Sequence, residues 1–183
     1  MIMSKLAGGL GNYLFQIAAG YTLAMRNYED FAVDFSKATR VHKDINTYRD
    51  NILRKIKDNT SECENTYIEP KFSYTEITYS KSLELKGYFQ SEKYLNRELI
   101  LDLYSIDSKS YGRIFKEYLP FDNAVSLHVR RGDYLDKIDR HPPTKLSYCK
   151  NAIDYFGSKY DFYVMSDDID WCKENLKGDN IRF

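Results

Sequence analysis

The first thirty-five residues narrow the choice of folds more than any other stretch. Ile2 to Ala7 is a short apolar run, and Gly8-Gly9-Leu10-Gly11-Asn12 follows as a glycine-rich turn. Tyr13 to Arg26 then places Leu14, Ile17, Ala18, Tyr21 and Met25 at helical spacing. Phe31 to Phe35 predicts the next strand. Strand, loop, helix and strand in succession predict parallel pairing, because a parallel neighbour is reached only by a crossover. The C-terminal third repeats the plan. Val125 to Val129 reads as a buried strand, Ser147 to Phe156 as a helix and Phe162 to Met165 as a strand. Ile169 to Leu176 reads as a further helix, and Asn180 to Phe183 as the start of another strand. The fold class is therefore α/β. The stretch Leu119-Pro120-Phe121-Asp122-Asn123 marks a boundary that divides the chain into residues 1–122 and 123–183.

The middle of the chain carries weaker signals. Thr47 to Ile56 predicts a helix, and Tyr67 to Thr78 and Leu83 to Phe89 predict strands. A further helix runs through Leu99, Leu103 and Tyr104, with Ser91 as its cap.

Composition excludes several functions. Lysine plus arginine equals aspartate plus glutamate, 27 of each, which argues against a general nucleic-acid binder. Hydrophobic residues make up 43% and charged residues 30%, the balance of a soluble globular chain. Cys63, Cys149 and Cys172 form no C-x-x-C pair, so neither a zinc site nor a disulfide framework is expected. No apolar run is long enough for a transmembrane helix, and the N-terminus has no signal-peptide pattern. The expected setting is cytoplasmic, or peripheral to a membrane.

Candidate chemistry gathers after the strand ends. Arg130 and Arg131 alternate in direction if the strand continues, so one can face a ligand while the other braces the loop. Arginine is well shaped to grip phosphate, with a planar fork of donors and a permanent charge. Gly132 lets the backbone turn, and Asp133 can hold an arginine fork in place. By themselves these residues fit a structural ion pair as well as an anion site. At the other end of the chain, Gly9-x-Gly11 followed by Asp34 imitates a dinucleotide-binding fingerprint, but Leu14 stands where the third glycine belongs. Ser166-Asp167-Asp168 reads as a helix N-cap.

Taken jointly, Gly8 to Gln16, Leu85 to Tyr94 and His128-Val129-Arg130-Arg131-Gly132-Asp133-Tyr134 resemble glycosyltransferase family 11, the α-1,2-fucosyltransferases. Pro143-Thr144 and the run Phe162 to Lys173 extend the resemblance to the last helix. The resemblance implies a GT-B-like architecture of two Rossmann-like α/β domains, the second incomplete, with the donor between them. The first would be the acceptor side and the second would bind the nucleotide sugar. It implies an inverting transfer of L-fucose from GDP-fucose to a galactoside hydroxyl, with no metal. On matching positions, Arg130 would hold the donor β-phosphate, with Arg131 and Asp133 supporting it and His128 near the nucleotide. An acid of Ser166-Asp167-Asp168 would read the guanine edge, and Gly9, Gly11 and Asn12 would approach the donor. Tyr13 departs from the family's usual glutamine. Asp133, Asp136 and Asp139 are the candidates for a general base, with Asp136 preferred. Family members also continue past Phe183. This raises the expectation of a truncated chain that self-associates or meets a partner supplying the missing segment. The alternative is a relative that binds nucleotide or partner without turnover.

Overall fold

The computed structural model describes residues 1–38, 45–118 and 122–183, which group into two units, Met1–Gly112 and Arg113–Phe183. Leu119, Pro120 and Phe121 of the expected boundary lie outside the described residues.

The first unit holds a four-stranded, wholly parallel sheet in the order β2-β1-β4-β3. Its strands are β1 (Ile2–Ser4), β2 (Phe31–Val33), β3 (Asn65–Ile68) and β4 (Leu83–Lys86). Ile2 pairs with Phe31 on one side and with Leu83 on the other. Strands β1 and β2 are buried along their whole length, as parallel strands inside an α/β layer are, so both read as apolar runs. The edge strand β3 is mostly exposed, which explains its polar sequence. Helix α1 (Leu10–Arg26) returns the chain from β1 to β2. It buries Tyr13, Gln16 and Ile17 in the core that also holds Ile2, Leu85 and Phe89. The connection from β1 leaves toward β2, while β1's other neighbour, β4, arrives through a later crossover. The carboxyl ends of β1 and β4 thus form a topological switch point, where ligands gather in open α/β sheets.

The second unit holds β5 (Ala124–Val129), β6 (Asp161–Ser166) and β7 (Ile181–Arg182), parallel and in that order. Leu127, Val129, Phe162, Val164 and Ile181 pack with Cys149 of α5 (Leu146–Phe156) and Cys172 of α6 (Ile169–Asn175). The opposite face carries Ser126, His128 and Met165, all exposed. Cys149 and Cys172 are buried free thiols.

Several expected elements are shorter than the sequence suggests. The helix predicted from Thr47 to Ile56 is a single turn, α2 (Asn46–Arg49). Beyond it Asn51 accepts the Ile52 N–H through its own side chain, a local bond that competes with helical pairing. The strand predicted to Thr78 stops at Ile68, two residues before Pro70, which has no N–H for a ladder. The strand predicted to Phe89 stops at Lys86, where Gly87-Tyr88-Phe89 turns and Phe89 takes a φ of 51°. The strand predicted to Phe35 stops at Val33, and Asp34 caps a short 3-10 turn over Phe35–Lys37. Ser91 caps a 3-10 turn over Glu92–Tyr94, while α3 (Arg97–Leu103) is capped by Asn96. Helix α4 (Ser108–Tyr118) was not anticipated. Among the described residues, no helix is long and apolar enough to cross a membrane.

Candidate functional site

In the second unit, the loop after β5 and the loop after β6 lock together. The Arg130 N–H donates to Thr144 Oγ1 at 3.1 Å, and Thr144 N–H returns a bond to the Arg130 carbonyl at 3.0 Å. The Arg130 guanidinium bridges two carboxylates, with Nη2 2.6 Å from Asp133 and Nη1 2.9 Å from Asp167. It also lies 5.1 Å from the Tyr134 ring, which stacks on His141. Arg131 donates from Nε to Asp168 at 3.1 Å, and its guanidinium lies 3.8 Å above the Trp171 ring. Asp167 Oδ1 accepts the Arg131 backbone N–H at 2.9 Å. Gly132 passes close to this carboxylate: a Cβ there would stand 2.5 Å from Asp167 Oδ2. The chain turns here as expected, in a 3-10 turn over Gly132–Tyr134, and the close approach of Asp167 adds a second reason for a residue without a side chain.

Lys137 closes the network at 3.2 Å from Asp133. Partial enclosure works to raise the Asp133 pKa. The Lys137 hydrogen bond and the charges of Arg130 and Lys137 outweigh it, so the carboxyl titrates below its usual range. Three cations (Arg130, Arg131, Lys137) thus face three carboxylates (Asp133, Asp167, Asp168). Arg130 and its two acids are about a quarter to a third exposed. Ion pairs this open to water contribute about 1 kcal/mol or less each, so an incoming anion can displace a carboxylate from Arg130 at modest cost.

Asp168 caps α6, with Oδ1 accepting the Trp171 N–H at 3.3 Å, while Ser166 Oγ accepts the Asp168 N–H at 2.9 Å. The N-cap reading of the triplet is therefore correct, and the same acids also brace the arginines. His128 stands apart. It is exposed beside Met165 on the open sheet face, and its side chain makes no hydrogen bond or ion pair among the described residues. Asp136 and Asp139 are exposed as well, in a shallow cavity of about 310 Å³ shared with Lys137, Ile138 and Arg140. Neither joins the Arg130 network.

In the first unit, Gly9 is the N-cap of α1, so Gly11 lies within the helix's first turn and not in a loop. The strained position is Gly8, with a φ of +91° and no room for a Cβ, which would sit 2.2 Å from Asn12 Nδ2. Asn12 Oδ1 accepts from Gln90 Nε2 at 2.7 Å, which joins the glycine turn to the loop after β4. Gln16 does the same from inside. It exchanges two bonds with Ala7 at 3.0 and 3.1 Å and donates to the Gly87 carbonyl at 3.0 Å. Tyr13 is buried in the core, so its side chain cannot serve a ligand. Asp34 is committed to Ser36 and Lys37, which hold its pKa down against the effect of enclosure. It is not presented for a ribose. Residues that sequence reasoning passed over are Thr144, Trp171, Lys137, Gly8, Gln16, Glu69 and Gln90. Gly8, Gln16, Gln90, Thr144 and Trp171 fall within motif stretches, but nothing in their spacing announced the contacts they make. Among the described residues, no group of three or more His, Cys, Asp or Glu side chains gathers as a metal site.

The model of glycosyl transferase family 11 matches residues 8–181. Over its whole length the chain aligns with an alpha-1,2-colitosyltransferase of Escherichia coli, 27% identical over 224 aligned residues and covering 76% of that protein. A segment covering 30% of the chain is 38% identical, over 64 residues, to galactoside alpha-(1,2)-fucosyltransferase 1 of Aotus azarae, of which it covers 18%. The fold is similar to that of NodZ alpha-1,6-fucosyltransferase soaked with GDP-fucose, with a TM-score of 0.56 and 11% identity, covering 99% of this chain and 76% of that one. The fucosyltransferase NodZ from Bradyrhizobium gives a TM-score of 0.58 at 12% identity, with the same coverage. Both structures speak to the fold alone, a mixed α/β arrangement with parallel sheets, whereas the family match runs through both loops of the arginine network. The chain belongs to glycosyl transferase family 11.

Proposed function

We propose that this protein is an inverting, metal-independent fucosyltransferase of the GT-B kind, with two Rossmann-like units and GDP-fucose as donor. The acceptor is a galactoside hydroxyl and the linkage made is α-1,2. The observation that carries the reading is Arg130, a permanent cation fixed at a strand's carboxyl end by backbone bonds to Thr144 and by two weakly held carboxylates. On donor binding, a β-phosphate oxygen replaces a carboxylate at the guanidinium. As the glycosidic bond breaks, negative charge grows on the GDP leaving group, and a preorganised cation stabilises it most where the charge is greatest. Asp167 and Asp168 serve this step by holding Arg130 and Arg131 in place. Asp136 remains the proposed base, since its carboxylate is exposed and outside the arginine network.

A second donor reading has its own support. The relative that aligns over the whole chain is an alpha-1,2-colitosyltransferase, so a colitosyl donor is to be assayed beside GDP-fucose. The experiment is a calorimetric titration with GDP of the protein and of Arg130→Ala, followed by transfer assays with lactose. Saturable GDP binding that weakens at least tenfold in the variant is expected, tenfold being about 1.4 kcal/mol. Equal binding by both proteins overturns the assignment of Arg130. Absence of transfer from either donor overturns the enzymatic reading.

A further inference from the structure

The turn after β4 is built at a cost. Phe89 is fully buried yet takes a positive φ of 51°, a conformation that bulky side chains adopt only when surroundings impose it. Glu69 imposes it. Its Oε2 accepts the N–H groups of both Tyr88 and Phe89, at 2.6 and 3.0 Å. Its Oε1 is shielded from solvent and has no hydrogen-bond partner among the described residues. Strain of this kind persists mainly at sites of function. The product of the strained turn is Tyr88, half-buried and stacked on Phe72 with ring centroids 6.0 Å apart and planes 18° from parallel.

Phe72 is 72% exposed, which alone would mean little. Its place gives it meaning. Phe72 follows β3, Tyr88 follows β4, and Asn12 and Gly8 follow β1, so the stack stands on the carboxyl-end rim beside the switch point of this sheet. The exposed Gln90 and the Asn12 amide lie on the same rim, tied to each other. Flat aromatic faces bordered by amides are the groups that recognise a pyranose. The apolar C–H face of the sugar packs on the π-face, and the amides bond to its ring hydroxyls.

We infer that Phe72 and Tyr88 form the platform on which a pyranose ring of the acceptor saccharide stacks, with Gln90 and Asn12 as its hydroxyl partners and Glu69 as the residue that holds the platform in shape. This rests on the reading of the chain as a transferase acting on a saccharide. A nucleotide base on the same rings is the other occupant, and the GDP arm of the test separates the two.

The test compares Phe72→Ala, Tyr88→Ala, Phe72→Tyr and Tyr88→Phe with the unaltered protein. Three readouts are taken: GDP affinity by calorimetry, acceptor KM and kcat with lactose, and lactose binding by saturation-transfer NMR. Each alanine variant should raise acceptor KM by up to about tenfold, the scale of one aromatic stacking contact, with kcat and GDP affinity little changed. The aromatic-for-aromatic variants should keep the original KM. If the protein transfers fucose and the alanine variants keep the KM of the unaltered protein, the platform is wrong and the transferase reading stands. If GDP binding falls instead, the stack serves the donor and the inference is overturned. If no transfer is seen with any donor, the transferase reading fails by itself, and the NMR arm still decides. Lactose saturation transfer lost in Phe72→Ala supports the platform, and transfer unchanged or absent overturns it.

Discussion

At the scale of single residues, the glycines separate by what surrounds them. Gly8→Ala forces a side chain into a positive-φ position against Asn12, with an expected loss of about 1–3 kcal/mol in urea unfolding followed by circular dichroism. Gly11→Ala meets open space inside a helix and should be neutral or slightly stabilising in the same measurement. Equal effects of the two would show that the Gly8 turn is not held as described. The sequence pointed to the right stretch but not to Gly8, because a repeated Gly spacing does not reveal which residue takes the left-handed conformation. The same holds for the arginine loop. Pairing of Arg130 with Asp133 was legible from their spacing of three. The contacts of Asp167, Thr144 and Trp171 were not, since residues as far as 40 positions apart meet only through the register of β5 on β6. His128 was placed by its motif alone, while strand alternation puts it on the face opposite Leu127 and Val129.

At the scale of elements, the buried strands and long helices were readable and the polar connections were not. Strands β1 and β2 announced themselves as apolar runs because they are buried on both faces, and β5 and β6 by the alternation of Leu127, Val129, Phe162 and Val164 on their buried face. The edge strand β3 gave no such signal. Helix α4 was missed although Asp107 precedes it and accepts the Ser110 N–H, a cap visible as Asp-Ser before the helix. The cap of α3 offers a direct check: Asn96→Ala removes the bond to the Leu99 N–H and should cost about 1 kcal/mol of stability. Gln16→Ala goes deeper. It strands the Ala7 N–H and C=O and the Gly87 carbonyl, all tied to one nearly inaccessible side chain, and should cost about 1–3 kcal/mol. Hydrogen exchange gives the sharper readout, with faster exchange at Ala7 than in the centre of α1. No change at Ala7 would mean that Gln16 does not fasten the switch-point loops.

For the whole molecule, 27 basic and 27 acidic residues cancel near neutral pH, so stability there depends on the particular groups whose pKa values folding shifts. Among the described residues, four carboxyls have depressed pKa values in the folded chain. Glu29 is held by the N-terminal ammonium and Tyr79, and Asp34 by Ser36 and Lys37. Asp107 is held by Ser110, and Asp133 by Lys137 and Arg130. Depressed carboxyls bind protons more tightly in the unfolded chain. Their stabilisation is therefore complete above the ordinary carboxyl range, about pH 4, and is lost as pH falls through the lower folded values. At the alkaline end the sign is opposite. Burial raises the Cys149 thiol and the Tyr104 phenol, so the unfolded chain loses these protons first and stability falls as pH rises past about 8.5 for a thiol and about 10 for a phenol. Urea midpoints across pH 2 to 11 should therefore trace a plateau with a falling limb on each side. Asp133→Asn should lower the plateau and flatten the acid limb, since it deletes one of the groups that titrates there. Cys149→Ala should flatten the first part of the alkaline limb, measured against its own midpoint at pH 7 to remove the cost of the cavity. If the acid limb keeps its slope in Asp133→Asn, the Arg130–Asp133–Lys137 pairing does not persist in solution, and the preorganisation assigned to Arg130 falls with it.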